Sequence, residues 1–152
     1  MIDSIKVSRT TSENRDFINL VAALDQSLWE RYPELKSNYW GNNILEINRN
    51  VIVLYLDNKA VACGCFKKKE KNTIEIKRMF VLPEARGRGF AQNILQELEL
   101  LGLESGFSFS VLETLYKQTE AIGMYQKCGY EIVDNYEPYV GLENSICMRK
   151  QI

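Results

Sequence analysis

Two arginines alternate with two glycines in Arg86-Gly87-Arg88-Gly89, and Phe90-Ala91 follow at the start of a helical apolar pattern. Residues without a Cβ let successive backbone N–H groups turn into one concavity, and a concavity lined with N–H groups binds anions. A helix starting at that point adds the positive end of its dipole, and Arg86 and Arg88 add full charges, so a phosphate or pyrophosphate is the natural guest. The rest of the chemical inventory is narrow. The chain has no histidine, which excludes Ser-His-Asp chemistry and any imidazole base, and leaves carboxylates, tyrosines, lysines and water to move protons. Its four cysteines, Cys63, Cys65, Cys128 and Cys147, form no Cys-x-x-Cys knuckle, so no metal site is expected and they read as small buried hydrophobes.

The elements that must position this turn follow from periodicity. Thr73 to Leu82 is rich in β-branched and aromatic residues and reads as a central strand, stopped by Pro83, which has no N–H for a ladder. After the turn, Ala91, Ile94, Leu95, Leu98 and Leu101 recur at helical spacing, predicting a helix to about Glu104 with Gly106 as its stop. Upstream, Ile5 and Val7 mark a short strand. Thr11-Ser12-Glu13 offers N-caps for a helix with Phe17, Leu20, Val21, Leu24 and Leu28 on its stripe, ending near Pro33. Val51 to Leu56 and Ala60 to Phe66, joined by Asp57-Asn58-Lys59, read as an antiparallel hairpin, and Lys67 to Asn72 as the next, solvated turn. Downstream come a strand over Phe107 to Thr114, a helix over Thr119 to Lys127 stopped by Gly129, and two strands at Tyr130 to Val133 and Ser145 to Lys150. The order predicts one domain over residues 1–152, of α/β (α+β) class: a mixed, largely antiparallel central sheet of about seven strands flanked by helices.

Spacing discriminates among phosphate-binding turns. A Walker A loop needs Lys-Ser/Thr after its last glycine, and Gly89 is followed by Phe90. A dinucleotide fingerprint needs a third glycine or alanine three residues on and a parallel sheet before it, and neither is present. Arg-x-x-Gly-x-Ala, as Arg86, Gly89 and Ala91, fits a third pattern. With Glu75-Ile76-Lys77-Arg78-Met79-Phe80-Val81 before it and Ala121-Ile122-Gly123-Met124-Tyr125-Gln126-Lys127-Cys128-Gly129-Tyr130 after it, the chain resembles the GNAT superfamily of acyl-CoA-dependent N-acetyltransferases from Ile5 to Lys150. Leu112-Glu113-Thr114 and Ser145 to Lys150 resemble a bacterial branch of small GNAT enzymes.

The resemblance implies that backbone N–H groups of Arg86, Gly87, Arg88, Gly89, Phe90 and Ala91 hold the pyrophosphate of acetyl-CoA. It also implies that the central strand and the next strand splay apart, so that the pantetheine arm pairs with backbone at Met79, Phe80 and Val81 like an added strand. Tyr125 matches the tyrosine placed near the coenzyme sulfur to assist thiolate departure. Glu75 matches a carboxylate that deprotonates the amine acceptor, with Glu113 as a further candidate. Gln118 stands where the family often has asparagine on the pantetheine arm, and its longer amide implies a shifted contact. The acceptor would be a primary amine of a small molecule or peptide. Trp29, Tyr32, Tyr39, Trp40, Tyr136 and Tyr139 are candidates for its walls, and Glu137 or Glu143 for attracting its charge. The relatives also imply a homodimer through the C-terminal strands as one arrangement.

Composition bounds the alternatives. A net charge of -1 and a pI near 5.6 give no general attraction to nucleic acid. Met1 to Lys6 has no apolar h-region and no later stretch is long enough to span a bilayer, so no membrane partner and a cytoplasmic location are expected. The alternative to an enzyme is a catalytically silent acyl-CoA-binding sensor or regulatory module. The presence of Tyr125 favours the enzyme.

Overall fold

The computed structural model describes residues 3–33 and 47–152. Among the described residues, seven strands form one sheet in the order β1-β2-β3-β4-β5-β7-β6, with β1 Ile5–Thr10, β2 Val51–Leu56, β3 Lys59–Glu70, β4 Thr73–Val81, β5 Phe109–Leu115, β6 Glu131–Val133 and β7 Ser145–Gln151. The described helices are α1 Arg15–Arg31, α2 Phe90–Glu104 and α3 Thr119–Lys127, with a 3₁₀ turn at Pro83–Ala85 before α2. All pairings are antiparallel except β4 with β5.

The two faces of the sheet bury different clusters. On one, α1 sets Phe17 and Leu20 against Val51, Val53, Cys63, Cys65 and Phe80. On the other, α2 and α3 set Phe90, Ile94, Leu95, Leu98 and Tyr125 against Ile52, Ile74, Ile76, Leu112 and Met148. Fully burying a side chain of this size stabilises by about 1.5–3 kcal/mol, so these clusters dominate the fold. At Gly64, α2 packs directly onto the strand. A Cβ there would lie 2.6 Å from Met79 Sδ and 2.8 Å from Ile94 Cγ2, so this strand position needs glycine for close approach.

Two features of β4 position the candidate site. Its parallel pairing with β5 covers Thr73↔Phe109, Ile74↔Ser110 and Glu75↔Val111 and then stops. From Ile76 onward the two strands part, and β4 keeps a backbone edge that β5 does not cover. The second feature is a bulge. Cys63 pairs with Phe80 but Cys65 pairs with Lys77, so Arg78 and Met79 together oppose Gly64. Arg78 has φ 59°, a left-handed conformation costing a residue with a Cβ about 1–2 kcal/mol. Its guanidinium reaches α1 and pairs with Asp25 at 2.8 Å, anchoring the bulge to the helix.

Most element boundaries agree with the sequence reading, and two differ. The α1 cap is Asn14, whose side chain accepts from the Phe17 N–H at 2.9 Å. The Thr11 hydroxyl is taken by the Glu13 N–H and that of Ser12 by the Asn48 N–H, so neither caps the helix. The lysine run expected in a turn lies largely in strand, because β3 extends to Glu70 and pairs Lys67 with Glu75 and Lys68 with Ile74. Buried partners on β4 outweigh the modest strand preference of lysine. The turn of the β2–β3 hairpin has positive φ at Asp57 and Asn58, as its sequence requires. No described helix is long and apolar enough to cross a membrane.

Candidate active site

The glycine turn is built as its sequence demands. Gly87 and Gly89 have φ 79° and 80°, and Gly89 is the N-cap of α2. Among the described residues, no backbone carbonyl accepts from the N–H groups of residues 87–92, while Asn93 begins the helical ladder on Gly89. A row of unpaired donors at a helix start suits a diphosphate. The side chains are less available than composition suggested. The Arg86 Nε donates to the Val81 carbonyl at 2.9 Å, on the edge of β4 that faces the splay, and Arg88 pairs with Asp3. Phe90 is buried, so its side chain serves the core and only its backbone faces the turn, while Ala91 is partly buried beside it.

The β4 edge at Met79, Phe80 and Val81 leads directly into that turn. The far wall of the splay is β5 and the start of α3, where the Thr114 hydroxyl donates to Gln118 Oε1 at 3.0 Å, fixing the amide with its NH2 end unused by that bond. Tyr125 lies on the α3 stripe, 6% exposed, with its ring edge-on to Tyr130 at 5.9 Å. Burial pushes its phenol above the ordinary tyrosine range, so it holds its proton at neutral pH. Tyr130 is itself fixed, its hydroxyl bonded to Glu99 Oε2 at 3.0 Å and to Ser110 Oγ at 2.7 Å, and Lys150 pairs with Glu99 at 2.8 Å.

On the α1 face of the splay, charged and phenolic groups gather from β4, β5, β7 and the loop 134–144. Glu75 is 2% exposed. Its Oε2 accepts from the Tyr136 hydroxyl at 2.8 Å, and its Oε1 lies 3.8 Å from Lys77 Nζ. Lys77 Nζ also donates to the Tyr139 hydroxyl at 3.2 Å. Burial lowers the pKa of Lys77, opposed by the attraction of Glu75. Glu113 holds one oxygen on Ser145 Oγ at 2.7 Å, and burial raises its carboxyl above the usual range against that hydrogen bond. The rings of Tyr136 and Tyr139 meet edge-on at 5.5 Å, and Lys69 lies over the Tyr136 ring at 4.7 Å while donating to the Glu137 carbonyl. Burial, and after it Glu75, push the Tyr136 phenol far above its ordinary range, so it stays a donor.

The structure therefore brings together Glu75, Glu113, Tyr136 and Tyr139, four of the residues singled out from sequence. Lys77, Lys69 and Ser145 join them without having been assigned a role. The alternation of Glu75 with Lys77 along one strand face was the available signal for the first of these. Trp29 is in the last turns of α1 and Tyr32 is its C-cap residue, both partly buried, whereas the cluster draws its groups from the sheet and the loop 134–144. Tyr39 and Trp40 lie outside the described residues. Glu137 and Glu143 are exposed. The cysteines are packing groups: burial pushes the Cys65 thiol up to about 12 and that of Cys63 higher. Among the described residues, no three side chains of metal-binding type come together.

A mixed sheet parted between a bulged fourth strand and its parallel neighbour, with a glycine turn and helix at the end of that strand, is the fold of acyl-CoA N-acyltransferases. Residues 17–130 match the acetyltransferase (GNAT) family, and the chain belongs to it. It is an acetyltransferase. It is 26% identical to an IAA acetyltransferase of Azospirillum brasilense over 98% of this chain and 99% of that one. Its fold superposes on a Klebsiella pneumoniae structure assigned to the acyl-CoA N-acyltransferases with a TM-score of 0.76, at 26% identity over 99% of this chain and 97% of the other. It superposes also on Arabidopsis thaliana Naa50, solved with the bisubstrate analogue CoA-Ac-MVNAL, with a TM-score of 0.69 at 20% identity over 98% and 99% of the two chains.

Proposed function

We propose that the protein transfers an acetyl group from acetyl-CoA to a primary amine of a small molecule or peptide, by direct attack within a ternary complex. The observation that carries this reading is the continuity of the β4 edge with the unpaired N–H row of residues 87–92, beside a buried acid and phenol cluster. The coenzyme's diphosphate lies on the N–H groups of Gly87 through Ala91, since the Arg86 N–H expected to join them is turned to the Pro83 carbonyl at 3.4 Å. Its pantetheine arm adds to the edge at Met79, Phe80 and Val81, displacing Arg86 from the Val81 carbonyl, and Gln118 addresses it from the other wall. The thioester then falls in the splay, with the acceptor entering from the α1 face.

An alkyl ammonium has a pKa near ~10 and must lose a proton before attack. Glu75 and Glu113 both stand on the correct face. Glu75 is enclosed, with one oxygen held by Tyr136 and the other toward Lys77, whereas Glu113 is held through one oxygen by Ser145 and burial makes its carboxylate more basic. This favours Glu113 as the base and Glu75 as the group that fixes Tyr136 against the acceptor. Departure of the thiolate draws on Tyr125. Burial keeps the Tyr125 phenol protonated, so its hydroxyl is available to donate a hydrogen bond to the sulfur as negative charge develops there.

A panel of amines incubated with acetyl-CoA, followed by release of free thiol, tests the reading. One class of acceptor should give thiol well above hydrolysis. Saturable acetyl-CoA binding with no productive acceptor would instead assign the chain to the acyl-CoA sensors, and absence of coenzyme binding would end both readings.

A further inference from the structure

The acceptor side of the splay already contains an amine. Lys77 is the second residue beyond the last β4–β5 pair, and its side chain is on the face occupied by Glu75 and, across the gap, Glu113. It lies two positions before Met79, where the exposed edge assigned to the pantetheine arm begins. Its Nζ is held 3.2 Å from the Tyr139 hydroxyl and 3.8 Å from Glu75 Oε1, yet its side chain is 35% exposed and is not sealed in the core. The neighbouring lysines are placed differently. Lys67, Lys68 and Lys71 are exposed, and Lys69 lies on β3, one strand further from the gap between β4 and β5. We propose that Lys77 is an internal acceptor, which takes an acetyl group from acetyl-CoA bound to the same chain and becomes Nε-acetyl-lysine. This rests on the acetyl-CoA reading above and adds to it a modification site.

The chemistry closes without another reactant. The Lys77 ammonium gives a proton to a neighbouring carboxylate, Glu75 or Glu113, and its lone pair attacks the thioester carbonyl. The N–C bond forms and the C–S bond breaks. The thiolate leaves and is protonated, the nitrogen sheds its second proton as the amide forms, and one net proton reaches solvent. Burial favours the neutral amine that this attack needs. The product has no charge at Lys77, which removes the cation facing Glu75 and places an acyl group where an external acceptor would bind.

The full-length protein incubated with acetyl-CoA and no added amine, followed by intact mass and peptide mapping, decides the matter. One acetyl group should accumulate on Lys77 roughly tenfold or more faster than on exposed Lys68 or Lys71, because the bound thioester acts at a high effective concentration. The rate should not depend on protein concentration, and excess free CoA should suppress it while leaving chemical acetylation of Lys68 and Lys71 unchanged. Lys77→Arg should lack the mark, and should that variant fail to fold, competition by CoA tests the same point on the unaltered chain. Equal rates at Lys77 and Lys68, or no suppression by CoA, would overturn the proposal. If calorimetry still shows CoA binding and an added amine still releases thiol, the transferase reading survives that result. If CoA does not bind, both fall.

Discussion

Replacing Ser145 by alanine separates the two carboxylates that could serve as base. Ser145 is buried, and its hydroxyl donates to Glu113 Oε2 at 2.7 Å, on the strand next to β5. A hydrogen bond to a charged group contributes about 1.5–3 kcal/mol, but a protonated carboxyl still bonds to serine, so the difference between the two protonation states is about 1 kcal/mol. At 1.36 kcal/mol per unit, the Glu113 pKa rises in the variant by roughly 0.7 units. The hydrogen bond lowers that pKa in the parent, so its loss moves it upward. The assay is kcat/KM against pH at saturating acetyl-CoA. The acid limb should shift toward higher pH by about that amount, while the plateau at high pH changes little. Stability should follow the same sign. A folded-state carboxyl pKa raised further penalises the folded protein as pH rises through it, so the variant's deficit at neutral pH shrinks by about 1 kcal/mol once Glu113 is protonated, leaving only the lost bond to the neutral carboxyl. An acid limb that stays in place in a folded Ser145→Ala protein, or that persists in Glu113→Gln, would refute Glu113 as base and return the role to Glu75.

Tyr125→Phe should lower kcat by about 10- to 150-fold, the equivalent of 1.5–3 kcal/mol, with little change in acetyl-CoA affinity measured by calorimetry. Gly89→Ala forces a Cβ onto a residue at φ 80°, at about 1–2 kcal/mol, and should weaken CoA binding more than it slows turnover of bound substrate. Gly64→Ala puts a Cβ within 3 Å of Met79 and Ile94, and overpacking of that kind costs about 1–3 kcal/mol, so its melting temperature should fall by several degrees. Tyr136→Phe leaves a buried Glu75 oxygen without its donor and should raise KM for the acceptor while leaving KM for acetyl-CoA near the parent value.

The extent to which sequence anticipates this molecule depends on how local each determinant is. The glycine turn, the α2 stripe of Ile94, Leu95 and Leu98, and the α3 stop at Gly129 are set by neighbours within one or two helical turns, and all appear in the structure. The end of β3 was not legible, since Lys67 to Lys69 read as solvated turn until β4 is laid beside them. The pairing of Tyr136 with Glu75 spans 61 residues, and no periodicity relates them. The roles of the arginines also depend on the assembled fold. Arg86 and Arg88 suggested free charge for an anion, whereas one lies on the Val81 carbonyl and the other on Asp3, leaving the backbone as the turn's available feature.

The bulge at Arg78 changes which side of the sheet each later residue addresses. Before it, odd-numbered Glu75 and Lys77 look toward α1 while Ile74 and Ile76 look toward α2; after it, even-numbered Phe80 packs with the α1 cluster and Met79 and Val81 pack with the other. The extra residue thus acts as a phase shift in a two-beat pattern. Loss or gain of one residue between Lys77 and Phe80 would leave composition almost untouched, yet it would turn one flank of the bulge, either Glu75 and Lys77 or Met79 to Val81, to the opposite side of the sheet. For this strand, parity rather than residue identity is the quantity to keep fixed when its sequence is redesigned or aligned with a distant relative.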